Sequence, residues 1–194
     1  DFIVNVALNE NKQITGIFAG DLEKAHKQGV AFVREKVGVS IPEPVDIVIT
    51  TSAGYPLDAT FYQSIKGLTA ALPIVKQGGT IILAAECREG LGSPEFSQLL
   101  RETKNIEIFM QNILREDYFV VDQWQMEEYA KVLRKAEVYL FSEGIALEDR
   151  ENIFATPIMS IEEGIALALK KHGGKARIAV IPKGPYILAG LENA

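Results

Sequence analysis

The chain opens on a run of apolar and β-branched residues from Phe2 to Leu8, breaks at the polar stretch Asn9-Glu10-Asn11-Lys12, and resumes from Gln13 to Phe18. Two such runs around a short polar turn predict a β-hairpin. Gly20-Asp21 supplies an N-cap, and Leu22, Ala25, Gly29, Phe32 and Val33 then recur at helical spacing up to Gly38, which predicts a helix of about four turns. Pro42 and Pro44 cannot continue it, so Ser40 to Pro44 is expected to be a hinge between a small leading unit and the rest. The division expected is residues 1–41, hairpin and interdomain helix, and residues 42–194, one α/β domain.

Beyond the prolines the pattern changes. Val45 to Thr50 is a short, almost continuous apolar run, as in a strand covered on both faces. After the loop Thr51 to Asp58 a helix is predicted from about Ala59 to Lys76, stopped by Gly78-Gly79, followed by a buried strand from Thr80 to Ala85. Strand, crossover helix and strand in this length make a right-handed βαβ unit. A loop from Glu86 to Ser93 leads to a helix near Pro94, then to helical stretches over Ile106 to Arg115 and Gln123 to Lys135. Glu137 to Phe141 and Arg177 to Pro182 read as strands, with a helix from Ile161 to Lys171 between them, ended by Gly173-Gly174. Alternation of this kind predicts a three-layer α/β sandwich with a mainly parallel sheet, whose ligands gather outside the carboxyl ends of the strands.

Composition narrows the function. The 194 residues are 47% hydrophobic, enough for a sizeable core, and a formal net charge of −6 argues against a binder of nucleic-acid phosphates. Cys87 is the single cysteine, so no intrachain disulfide exists and a reducing cytoplasm is the expected compartment. No apolar run approaches the roughly 20 residues of a spanning helix, so no membrane partner is expected. The sequence begins at Asp1 within a strand-like run, without Met, and reads as a piece of a longer polypeptide.

The familiar nucleotide signatures are absent: no GxGxxG follows a strand and no GxxxxGK[ST] occurs. His26 and His172 are far apart and lack partners at metal-ligand spacing, so both are expected to be structural or solvated. Cys87 follows a strand end but has no nearby histidine to activate it, and reads as a small loop residue. The richest segment is Thr50 to Asp58 with Phe61-Tyr62-Gln63-Ser64-Ile65-Lys66-Gly67, placed where α/β ligands bind. Gln63 and Lys66, three apart on a helix, share a face. By spacing they read first as a solvated outward face, and second as an amide and an ammonium converging on a carboxylate. Trp124, in Asp122-Gln123-Trp124-Gln125, fills core or shields a small ligand, with Asp122 as the helix N-cap. Arg88 and the loop to Ser93 give a weak signal, and Pro182 to Tyr186 reads as a rigid turn.

Phe18-Ala19-Gly20-Asp21 before Ala25-His26, the loop Ser52 to Asp58, Tyr62 to Gly67, and Asp122-Gln123-Trp124-Gln125 together resemble the nickel-pincer lactate racemase family, over most of the chain and in its C-terminal portion. The resemblance implies a two-domain enzyme whose N-terminal domain, absent from this chain, carries a nickel pincer nucleotide and the catalytic histidines. It implies racemisation or epimerisation of a small 2-hydroxy carboxylate by reversible hydride removal through a 2-keto acid. Gln63 and Lys66 match the pair holding the substrate carboxylate, and Trp124 the aromatic residue shielding the cofactor. No catalytic or metal-ligating residue is expected in this chain, which by itself is expected to be inactive. Thr60, Phe61 and Arg88 to Ser93 are places where specificity would vary. The competing expectation is a non-catalytic small-anion-binding or assembly domain of α/β type.

Overall fold

The computed structural model describes residues 1–192, in two compact units, Asp1–Ser40 and Ile41 onward. In the first, strands β1 (Phe2–Leu8) and β2 (Ile14–Asp21) pair antiparallel, with Val4 opposite Ala19 and Val6 opposite Ile17. Asn9 closes the turn, its side-chain oxygen accepting from the N–H groups of Asn11 and Gln13, both at 3.0 Å. The Asp21 carboxylate accepts from the Lys24 N–H at 3.1 Å, capping helix α1 (Leu22–Val37) as its position predicts. One face of the hairpin meets α1 through Phe18 and Phe32, whose ring centroids are 5.5 Å apart. The other face leaves Phe2, Val4, Val6, Leu8, Ile14 and Ile17 exposed. Strand β3 (Gly38–Ile41) follows where a hinge was expected.

The second unit is built on five parallel strands. In chain order they are β4 (Val45–Thr51), β5 (Val75–Ala84), β6 (Ala136–Phe141), β7 (Thr156–Pro157) and β8 (Ile178–Ile181), arranged β7-β6-β5-β4-β8. The chain winds outward from β4 through β5 and β6, then returns to place β8 on the other side of β4. The order therefore reverses at β4, and the crevice at its carboxyl end is where such folds take ligands. Helices α2 (Phe61–Ala71), α3 (Pro94–Glu102), α4 (Ile106–Asn112) and α5 (Gln123–Leu133) contribute to a core with Val48, Ile81, Leu83 and Val138 of the strands. On the opposite face helix α6 (Ile161–His172) packs Ala168 against Ile47, Ile82 and Tyr139. The three-layer sandwich with a parallel sheet thus holds. A last strand, β9 (Leu188–Leu191), is followed by Glu192, whose N–H donates to the Ile41 carbonyl at 3.1 Å.

Several boundaries differ from expectation. Helix α2 stops at Ala71, not Lys76, because Pro73 lacks the N–H to continue it. Val75 to Gln77 already belong to β5, and Gly78-Gly79 are not a helix cap but part of that strand, where the register against β4 slips between Val45 and Ile47. Helix α4 ends at Asn112 rather than Arg115. The short β3, β7 and β9, of 4, 2 and 4 residues, leave too little periodicity to be read.

The close approach of α2 to the end of β4 requires a residue without a side chain. A Cβ on Gly67 would lie 2.7 Å from the Thr51 carbonyl oxygen and 2.8 Å from Ser52 Oγ, whereas one on Gly174 would meet nothing within 4 Å. Gly67→Ala is therefore expected to lower stability by about 1–3 kcal/mol through overpacking. Gly174→Ala is expected to leave it within about 0.5 kcal/mol. Urea unfolding of the two variants beside the parent checks both, and equal midpoints would contradict the packing account.

Candidate active site at the carboxyl end of the central strand

Two loops build the site: Ser52 to Thr60 after β4, and Ala85 to Ser93 after β5. Main-chain bonds join them directly. Cys87 N–H donates to Asp58 O at 2.8 Å, Glu89 N–H to Ala59 O at 2.8 Å, Phe61 N–H to Gly90 O at 2.9 Å and Tyr62 N–H to Leu91 O at 2.9 Å. The buried Asp58 adds its Oδ2, accepting from the Glu86 N–H at 3.3 Å. Thr60 caps α2, its Oγ1 accepting from the Gln63 N–H at 3.2 Å. A consequence for anion binding follows: the first N–H groups of α2 are already bonded, so a carboxylate arriving there must be met by side chains.

Those side chains are present. Tyr55, Pro56, Thr60, Tyr62, Gln63, Glu89, Ser93 and Asp122 line an open cleft of about 550 Å³. Lys66 stands exposed outside that lining, one turn along α2, and its Nζ donates to Gln63 Oε1 at 2.6 Å. Holding the amide oxygen on the ammonium leaves the amide NH2 as the donor end of Gln63. The two groups named from spacing therefore bond each other on α2, with Gln63 in the cleft lining and Lys66 exposed beside it.

The third named residue packs beside Tyr62, outside that lining. Trp124 is 52% exposed, so it does not fill core, and its indole meets the Tyr62 ring edge-on at 5.8 Å between centroids. Asp122 differs from expectation. It precedes α5 but makes no side-chain capping bond, and its backbone sits in the left-handed region at φ 65°. Its carboxylate turns to the cleft instead, accepting from Ser93 Oγ at 2.6 Å and from the Tyr62 hydroxyl at 3.3 Å. Partial burial first, and the neighbouring Asp122 charge second, push the Tyr62 phenol above its usual range, so it remains a donor. From α5 the buried Gln125 secures α2, its Nε2 donating to the Tyr62 carbonyl at 2.7 Å.

The remaining candidates fall as follows. Arg88 lies over the Tyr55 ring at 4.0 Å, a cation–π contact at the cleft rim. His172 hydrogen-bonds the buried Thr80 hydroxyl at 2.9 Å, and His26 is exposed on α1, far in sequence from any cluster. Pro182 takes the Thr51 hydroxyl on its carbonyl at 2.7 Å, bracing the end of β4. Among the described residues no group of three or more His, Cys, Asp or Glu side chains could hold a metal ion, and no helix is long and apolar enough to cross a membrane. Sequence reasoning missed the carboxylate contacts of Asp122, while Thr60 and Glu89, within the stretches named for specificity, do line the cleft. The Thr60-x-x-Gln63 spacing is a capping-box pattern and could have located the start of α2.

The fold and the cleft together define an α/β domain with an open cleft at the carboxyl end of its central strand. Residues 41–188 match a family profile described as the lactate racemase C-terminal domain, and the chain belongs to that family. It is 37% identical over 189 residues to a lactate racemase of Thermoanaerobacterium thermosaccharolyticum, covering 96% of this chain and 44% of that protein. To a lactate racemase of Lactiplantibacillus plantarum it is 36% identical over 185 residues, covering 94% and 43%. The structure of the T. thermosaccharolyticum lactate racemase apoprotein superposes with a TM-score of 0.88 at 36% identity, over 97% of this chain and 45% of that one. A Thermotoga maritima protein at 13% identity and TM-score 0.64 shares the fold alone. The chain thus spans less than half the length of the curated relatives it matches.

Cys87 sits fully buried at φ 51°, its sulfur 3.6 Å from Ser64 Oγ. Burial, above all, pushes the thiol pKa up, so the folded chain carries little thiolate. Iodoacetamide at neutral pH is expected to leave Cys87 unmodified in the native chain and to alkylate it after urea unfolding, as read by mass spectrometry. The raised folded pKa also sets a sign: stability is full below the unfolded thiol's pKa of about 8.5 and falls as pH rises through it. Rapid native alkylation would contradict the burial.

Proposed function

We propose that this chain is the substrate-closing half of a 2-hydroxyacid racemase or epimerase, in which Gln63 and Lys66 take the substrate carboxylate. The observation that carries this reading is the joined pair itself, Lys66 Nζ to Gln63 Oε1 at 2.6 Å, on the helix after the central strand. An ammonium supplies the charge and an oriented amide NH2 a second, directional bond to one carboxylate. Because the backbone donors of α2 are spent on the neighbouring loop, these side chains are what the helix offers an acid.

The whole-protein chemistry is read from the relatives and the family resemblance. No residue of this chain is assigned as a nickel ligand in this reading. A nickel pincer nucleotide held by the N-terminal domain supplies, when bound, a hydride acceptor for the carbon bearing the hydroxyl. The half-exposed indole of Trp124, braced by Tyr62, suits a wall laid over such a flat group and against water. The carboxylate grip fixes the orientation of the substrate while its central carbon becomes planar. By the family resemblance, return of hydride to either face of that carbon, with the hydroxyl proton restored by a base of the N-terminal domain, would give both configurations. The buried, reduced Cys87 suits a cytoplasmic setting.

Lactate racemisation by the full-length protein loaded with the nickel pincer nucleotide is the test. Lys66→Ala and Gln63→Ala are each expected to lower kcat/KM by about 10- to 150-fold, the equivalent of about 1.5–3 kcal/mol for hydrogen bonds to a charged group. Since the two side chains bond each other, the double variant is expected to lose less than the product of the single losses. Unchanged kcat/KM in both single variants would overturn the assignment.

A further inference from the structure

The hairpin of the first unit carries an apolar surface that nothing in the described structure covers. Residues directly opposite on antiparallel strands share a face. The register of β1 and β2 therefore gathers Val4 with Ala19, Val6 with Ile17 and Leu8 with Ile14 on the side away from α1, with Phe2 at its end. Phe2 and Ile17 are 73% and 64% exposed, and Val4, Val6, Leu8 and Ile14 are exposed too. The face holds no charged residue before Asp21, which is committed to capping α1. A strand ribbon apolar on both faces is the pattern of a doubly covered sheet, and α1 covers only one of these faces. A linker would show the reverse, a polar outer face.

The extent of the match to known racemases bears on the source of a cover. The family profile begins at residue 41, so the hairpin unit lies outside the C-terminal domain. Yet the match to the T. thermosaccharolyticum racemase runs over 189 residues, more than the stretch from Ile41 to the chain end contains. Most of the hairpin unit therefore has a counterpart in a racemase chain more than half of which lies beyond the match. We infer that the outer face of the β1–β2 hairpin is an interface for the N-terminal part of the same full-length polypeptide, and that residues 1–40 are a piece of that domain's core rather than a connector. The occupant is an apolar surface of that domain, because a face of Phe, Val, Ile and Leu side chains offers burial and no side-chain hydrogen bonds.

The inference rests on family membership and on the reading of this chain as half of an enzyme, but not on the carboxylate grip, and its test reads no activity. Hydrogen–deuterium exchange is followed at the amides of Phe2–Leu8 and Ile14–Asp21 in the full-length polypeptide and in the 194-residue chain. Protection is expected to rise at least tenfold in the full-length protein. Val6→Asp combined with Ile17→Asp is expected to abolish that gain and lower its Tm by about 5 °C or more. In the 194-residue chain the same pair is expected to leave the unfolding of the second unit unchanged. Equal, rapid exchange in both polypeptides, or a full-length double variant as stable as the parent, would overturn the inference. So would light scattering showing that the parent chain dimerises and the double variant does not, which would assign the face to a second copy.

Discussion

The geometry of the cleft depends on four main-chain hydrogen bonds between the loops that follow β4 and β5. Through them Asp58, Ala59, Phe61 and Tyr62 are pinned to Cys87, Glu89, Gly90 and Leu91, each at 2.8 or 2.9 Å. They fix where α2 begins and therefore where Gln63 and Lys66 point. They also use up backbone donors that a helix start would otherwise offer to an anion. Backbone rigidity and side-chain placement are thus one device: the loops cannot drift, so the Gln63 and Lys66 side chains are presented by a stable helix rather than by a flexible turn.

The pair needs more than its own charge. An ammonium in open water gains little from meeting a carboxylate, because solvent screens the attraction and holding long side chains costs entropy. Lys66 is exposed here, and Trp124 is half exposed beside Tyr62. Exclusion of water by a covering domain would strengthen every one of these contacts. An exposed charge on α2, an exposed indole beside Tyr62 and the carboxylates of Asp122 and Glu89 in the cleft lining suit a site completed by another body. The alternative of a self-sufficient anion-binding or assembly module gains no specific support from this geometry.

Much of the fold was legible from residues. The long apolar runs of β4 and β6 and the capped helices α1 and α6 follow from periodicity and end signals. The β4–α2 loop was placed at the site because ligands collect at strand ends. What escaped was set by tertiary context. Val75 to Gln77 continue a helical pattern in sequence but are captured by pairing with β4 once Pro73 ends the helix. Asp122 looks like a cap, yet the left-handed backbone at that residue aims its carboxylate at Ser93 and Tyr62, far away in sequence. Gln63 and Lys66 were readable as a pair, but spacing could not distinguish a solvated face from a cleft wall. The contact between them is local to α2, whereas the cleft beside Gln63 forms only where the loop after β5 meets that helix.

The most direct test of the central claim is a crystal structure of the full-length enzyme with a 2-hydroxy acid bound. The account predicts the carboxylate within hydrogen-bonding distance of Lys66 Nζ and Gln63 Nε2, with the Trp124 indole lining the closed site. A carboxylate held by other residues, with Gln63 and Lys66 left in solvent, would contradict it.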